Sequence, residues 1–86
     1  MNAQATIRLN FVSEKQLQVV LQALKPETET SSTHRSKVYM TAEAQGLVLD
    51  FRAKDTSALR AAINSYLRLI GVAIDLQKFI DLRENS

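Results

Sequence analysis

At 86 residues the chain has the length of one domain, read as residues 1–86, and little room for an enzyme's pocket. It has no cysteine, which excludes disulfides and thiolate metal sites, and its single histidine excludes a His-x-x-x-His pair. A formal net charge of +2 falls well short of the dense basic stripe of a strong nucleic-acid binder.

The opening Met1-Asn2-Ala3-Gln4 lacks the charged and apolar regions of a secretory signal. No apolar run reaches the ~18–20 residues of a membrane span, and Arg68 and Asp75 interrupt the long C-terminal segment. A soluble, cytoplasmic chain with no membrane partner is expected.

Residues 3–12 alternate, with Ala3, Ala5, Ile7, Leu9 and Phe11 on one face and Gln4, Thr6, Arg8 and Asn10 on the other. That period of two predicts a half-buried strand. Ser13 followed three residues on by Gln16 has the spacing of a helix N-cap with its capping box. The helix it opens carries Leu17, Val20, Leu21 and Leu24 on one face, and Pro26 is expected to stop it. Residues 26–35 are polar throughout and are expected to form a mobile loop.

Residues 37–43 alternate again, with Val38, Met40 and Ala42 inward; Ala44-Gln45-Gly46 reads as a turn in which glycine supplies the positive φ. Leu47, Leu49, Phe51 and Ala53 then face inward from a third strand joined to the second as a hairpin. Asp55 or Thr56 can cap a final helix running to about Leu82, ~27 residues and ~40 Å long. The order β-α-β-β-α predicts an α+β fold: a three-stranded antiparallel sheet with two helices packed on one face.

The last helix carries more apolar surface than such a sheet can cover. At ~100° per residue, Leu59, Ile63, Tyr66, Leu67, Ile70 and Ile74 form one stripe, expected to meet the sheet. Ala58, Ala61, Ala62, Ser65, Leu69, Val72, Leu76 and Phe79 form a second, leaving only Arg60, Asn64, Arg68, Asp75 and Lys78 as a polar sector. An ordinary surface helix needs an apolar arc of ~100° or somewhat more, and this one has roughly twice that. A surplus of this kind marks an interaction surface. Gly71, in mid-helix, falls near the polar sector.

The residues offer no catalytic constellation. His34 stands alone in the polar loop, and Glu27 and Glu29 beside it read as solvated charge rather than as an acid–base or metal pair. There is no Gly-x-Ser-x-Gly and no phosphate-binding loop. No catalytic residue, cofactor or metal is expected. Arg8, Lys37 and Arg52 with Tyr39 on the outward face of the strands have two readings: a phosphate-contacting surface with one stacking aromatic, or an ordinary solvated face diluted by Glu43 and Asp50.

The run Asp55-Thr56-Ser57-Ala58-Leu59-Arg60-Ala61-Ala62-Ile63-Asn64-Ser65-Tyr66-Leu67-Arg68 resembles the small dimerising subunit of the archaeal-type KEOPS complex, a family that includes the CTAG/LAGE proteins of animals. The opening strand with Phe11-Val12-Ser13-Glu14, the pair Arg35-Ser36 and the element order agree with it; Glu27–Thr33 matches no pattern of the family. The resemblance implies a non-enzymatic scaffold subunit in the assembly that installs threonylcarbamoyl-adenosine in transfer RNA. It implies a dimer, with itself or with a paralogue, formed through the sheets. It implies that the helices pack against N-terminal helices of the catalytic threonylcarbamoyl-transferase subunit. Partner-binding residues on this reading are Leu17, Val20, Leu21, Leu24, Leu69, Val72, Leu76 and Phe79, with Arg35, Arg60 and Arg68 as RNA contacts. The alternative is an independent α+β RNA-binding module resting on the basic sheet face; it lacks the Gly-x-x-Gly of KH domains and the paired aromatics of the RRM motif.

Overall fold

The computed structural model describes residues 2–30 and 36–84. Its elements are β1 (Ala3–Asn10), α1 (Glu14–Thr30), β2 (Ser36–Glu43), β3 (Gly46–Ala53) and α2 (Thr56–Glu84). The strands form one antiparallel sheet in the order β1-β3-β2. The order puts the most apolar strand in the middle. Leu47, Leu49, Phe51 and Ala53 of β3 are fully buried, whereas the inward residues of β1 are only half-buried. The register aligns Ala5, Phe51 and Val38 across the sheet, then Ile7, Leu49 and Met40, so both of these inward rows are apolar on all three strands.

Both helices lie on that inner face. Leu17, Val20 and Leu24 of α1 and Ala58, Tyr66, Ile70 and Ala73 of α2 close the core with Phe11. The Tyr66 ring meets Phe51 edge-on, with centroids 5.4 Å apart and planes at 90°, the favoured arrangement for two aromatic quadrupoles.

Local chemistry sets the element ends. Ser13 Oγ accepts the Gln16 backbone N–H at 3.1 Å, and the Gln16 side chain reaches back to accept the Val12 N–H at 3.2 Å. The Ser13 bond satisfies a donor that the first turn of α1 leaves orphaned, and the Gln16 side chain ties down the N–H of Val12 just before the helix. At α2 the cap is Asp55, whose Oδ1 accepts the Ala58 N–H at 2.8 Å.

Three expectations are corrected. Pro26 does not stop α1, which runs through it to Thr30. Proline removes one donor, the one that would meet the Gln22 carbonyl, and both Pro26 and Gln22 are exposed, where water can take that carbonyl. The first half of the expected 26–35 loop is therefore helix; residues 31–35, with His34 and Arg35, lie outside the described residues. In the hairpin turn the positive φ falls on Ala44, at 41°, and not on glycine. Gly46 opens β3 instead, where a Cβ would stand 3.1 Å from both Asn10 Oδ1 and the Leu9 carbonyl oxygen. It is a close-approach glycine between neighbouring strands. Thirdly, Leu67, expected on the sheet, is exposed, while Ala58, assigned to the outer stripe, and Ala73 are buried. The line of contact on α2 is Ala58-Ala62-Tyr66-Ile70-Ala73, and its small residues let the helix sit close to the sheet.

Two consequences for stability follow. Ala44→Gly should raise stability by about 1 kcal/mol, because a left-handed alanine is strained where glycine is not; Gly46→Ala should lower it, and urea melts of the two variants read both signs. Tyr66 is pushed above its ordinary value of 10.0, by burial first and then by the charge of Glu27. The folded chain thus holds this proton more tightly than the unfolded one. Its contribution is complete below pH ~10 and is lost as pH rises through the folded value. Thermal melts should show stability falling above pH ~10, and Tyr66→Phe should reduce that fall.

Candidate partner-binding site

The sheet and its long helix differ in size. Eight-residue strands span ~26 Å, while 29 residues of α2 span ~44 Å, and the molecule measures 49 × 21 × 19 Å. α1 and α2 run antiparallel: Glu27 near the end of α1 acts on Tyr66, while Lys15 in its first turn shares a groove with Gln77. Past Gln77, α2 has overrun the start of α1.

That groove is concave and apolar. It has a volume of about 350 Å³ and is walled by Lys15, Val19 and Ala23 of α1 and by Leu69, Val72, Ala73, Leu76 and Gln77 of α2. The wall residues recur at spacings of four on α1 and of three and four on α2, so two helix faces meet at an angle open to solvent. Leu76 is 57% exposed, Phe79 56% and Val72 52%, and all three lie on one flank of α2 with Ala61 and Ser65. Apolar side chains this open and this close together form a continuous patch of the sort that marks interaction sites.

The expected partner residues thus divide. Leu17, Val20 and Leu24 are spent on the core, at 2%, 0% and 0% exposure, and offer a partner no surface; this corrects the expectation that they are shared with one. The reason is that α1 is covered by the sheet beneath it and by α2 beside it. Leu21 and Leu69 are half-buried against the core, and Leu69 also lines the groove. Val72, Leu76 and Phe79 are open. Sequence reasoning missed Val19 and Ala23, which supply the α1 wall; their spacing of four, one step round from the Leu17–Leu24 face, was the available signal. It also missed Val12, 86% exposed beside the first turn of α1.

The outer face of the sheet bears the basic residues picked out in the sequence, and its two arginines are engaged within the chain. Arg8 pairs with Glu43 and Arg52 with Asp50, each at 3.1 Å, and Gln4 donates to the same Asp50 at 3.2 Å. The Arg52 guanidinium lies over the Tyr39 ring, 5.1 Å from its centroid. Lys37, Gln4, Tyr39 and Arg52 border a shallow depression of about 330 Å³. The acidic partners neutralise much of the field a phosphate would feel. Arg60 and Arg68 are exposed on α2, away from this face. Among the described residues no group of three or more His, Asp or Glu could hold a metal ion, and no helix is long and apolar enough to cross a membrane.

A strand, a helix, a hairpin and an overlong helix enclosing a core on one side of the sheet define a small α+β domain built to present a helix pair. The sequence matches the family described as transcription factor Pcc1 over residues 4–78, and the chain belongs to the Pcc1 family. It is 38% identical over 73 residues to the KEOPS complex subunit Pcc1 of Pyrococcus abyssi (strain GE5 / Orsay), covering 85% of this chain and 89% of the relative. The fold matches a chain of the crystal structure of a binary Gon7–Pcc1 complex with a TM-score of 0.78, at 18% identity, covering 92% of this chain and 96% of that one.

Substitutions separate the two classes of leucine. Leu24→Ala should cost about 2–5 kcal/mol of folding stability, since it empties a fully buried site. Leu76→Asp should shift the melting midpoint little, because its side chain already stands in solvent; thermal denaturation followed by circular dichroism checks both.

Proposed function

We propose that this chain is a non-catalytic, dimerising scaffold subunit of a KEOPS complex, supporting threonylcarbamoyl-adenosine modification of transfer RNA in the cytoplasm of an archaeal cell. Its part is to bind the catalytic threonylcarbamoyl-transferase subunit through its helices. The observation that carries this is the groove between α1 and α2 with its exposed rim of Val72, Leu76 and Phe79. A helix of a partner laid in that groove completes a three-helix bundle and removes the open apolar surface from water. Membership of the Pcc1 family and the 38% identity to a KEOPS subunit support the assembly in which this would happen.

The sheet supports the dimer. β1 and β2 are edge strands, each paired on one side with β3, and an edge strand is a template for a strand of another chain. The fold matches a chain of a binary Gon7–Pcc1 complex, which accords with pairing to a second subunit, either another copy of this chain or a paralogue. Transfer RNA would be held by the complex, with exposed Arg60 and Arg68 available to its phosphates.

The test is capture of the catalytic threonylcarbamoyl-transferase subunit by this chain, with Val72→Asp and Leu76→Asp alongside. Wild type should bind, and the variants, folded by circular dichroism, should lose binding by tenfold or more, as centrally buried anchors do. A wild-type chain that stays monomeric and does not bind the catalytic subunit would sink the reading. Tight, salt-sensitive RNA binding by the isolated chain would then favour the independent RNA-binding module.

A further inference from the structure

The inner side of β2 is incompletely covered within the chain. Its inward residues Val38 and Met40 are only half-buried and Ala42 is exposed, whereas Phe51, Leu49 and Leu47 opposite them on β3 are fully buried. α1 packs on the β2 side of the sheet. Its Leu21 stands half a turn round from Val19 and Ala23, on the flank away from the groove, and is likewise half-buried. The outer side of the same strand carries opposite charges near its two ends, Lys37 and Glu43. Lys37 is exposed, and among the described residues neither ion pair of that face uses it. Glu43 gives Oε2 to Arg8, but its side chain remains 53% exposed, so the carboxylate has room for a second cation.

We infer that β2 is the edge through which a second copy of this chain joins the sheet, antiparallel about Met40, with Lys37 of each copy facing Glu43 of the other. In that register Tyr39 falls opposite Thr41 and Val38 opposite Ala42, so inward residues meet inward ones and the apolar side of the seam is closed. The two-fold axis makes the charge pair form twice. Opposite charges directly across an antiparallel pair are favourable and like charges are not, so charge fixes the register: centred on Tyr39 instead, Lys37 faces Thr41 and the pair is lost. β1 has no such complementarity. Its outward residues Gln4, Thr6, Arg8 and Asn10 hold one charge, which antiparallel self-pairing sets against a neutral side chain or against itself. Pairing β1 of one copy to β2 of the next leaves an edge open on every copy and does not close. The inference rests on the dimer reading above and adds which edge forms it, in what register and with which charges.

The test is the dimer dissociation constant, measured by sedimentation at low salt, for wild type, Lys37→Glu, Glu43→Lys and Thr6→Lys, each checked for folding by circular dichroism. Lys37→Glu and Glu43→Lys should each weaken the dimer by about tenfold or more, since each turns both attractions into repulsions, and added salt should narrow the gap. An equimolar mixture of the two variants should dimerise like wild type, because every lysine then faces a glutamate; a variant that had merely lost its fold gives no such rescue. Thr6→Lys, on the outer row of β1, should leave the constant unchanged. A wild-type dimer that both charge reversals leave intact, or that Thr6→Lys weakens instead, overturns the β2 assignment while the dimer reading stands. A wild-type chain that is monomeric overturns self-pairing altogether, and capture of the catalytic subunit, which uses the helices, still decides the scaffold reading.

Discussion

The fold turns on a mismatch of lengths. Three strands of eight residues give the helices an inner face ~26 Å long, and α2 is ~44 Å. A helix that long cannot satisfy all its apolar residues on so short a sheet. The buried line from Ala58 to Ala73 fits the sheet; the flank with Val72, Leu76 and Phe79 does not. α1 takes up part of the excess by packing beside α2, but it does so at an angle that leaves a groove rather than a closed seam. The core itself is compact: Phe51 and Leu49 of the central strand meet Leu17, Val20 and Leu24 from one helix and Tyr66 and Ile70 from the other. The domain is thus stable on one side of α2 and unfinished on the other.

Much of this was legible in the sequence, because period-two alternation and a long apolar-rich helix are strong signals. All three strands follow from alternation and the hairpin from the short connection between two of them; Ser13–Gln16 marks the first helix cap, and the second is Asp55, one of the two residues that the sequence offered. The excess on α2 was visible as arc width. What misled was the use of single residues as stops. Pro26 was read as a terminator, although the helix runs through it, with both Pro26 and the Gln22 it would have bonded on the exposed side. Gly46 was read as a source of positive φ, although it stands where two strands approach closely. Both errors treat a local preference as a rule, and tertiary packing decided otherwise.

The site was legible only in part, for a different reason. A helical wheel gives the angle of each residue but not which neighbour covers it. Leu17, Val20 and Leu24 look like good anchors on the wheel, and only packing shows that sheet and α2 exhaust them. Conversely, Val19 and Ala23 look unremarkable until α2 lies beside them and they become a wall. The outer sheet face shows the same limit. Arg8, Lys37 and Arg52 with Tyr39 had two readings in sequence, and the packing adds to the solvated one: Arg8 of β1 reaches Glu43 of β2, Arg52 pairs with Asp50 on its own strand, and the Arg52 guanidinium lies over the Tyr39 ring.

The overrun of α2 past the start of α1 has a kinetic and energetic side. Lys78 and Phe79, just beyond Gln77, are exposed, so backbone amides there should exchange with solvent by local fraying rather than by global unfolding. Amides around Tyr66 and Ile70, over the buried core, open only when the whole domain does. Protection should therefore fall along the helix from Ile70 towards exposed Phe79. Any protein that settles against that end must first stop the fraying, and part of its contact energy is absorbed in ordering the last turns. The same gradient makes the end adaptable, since those turns can adjust to a partner without disturbing the packed sheet.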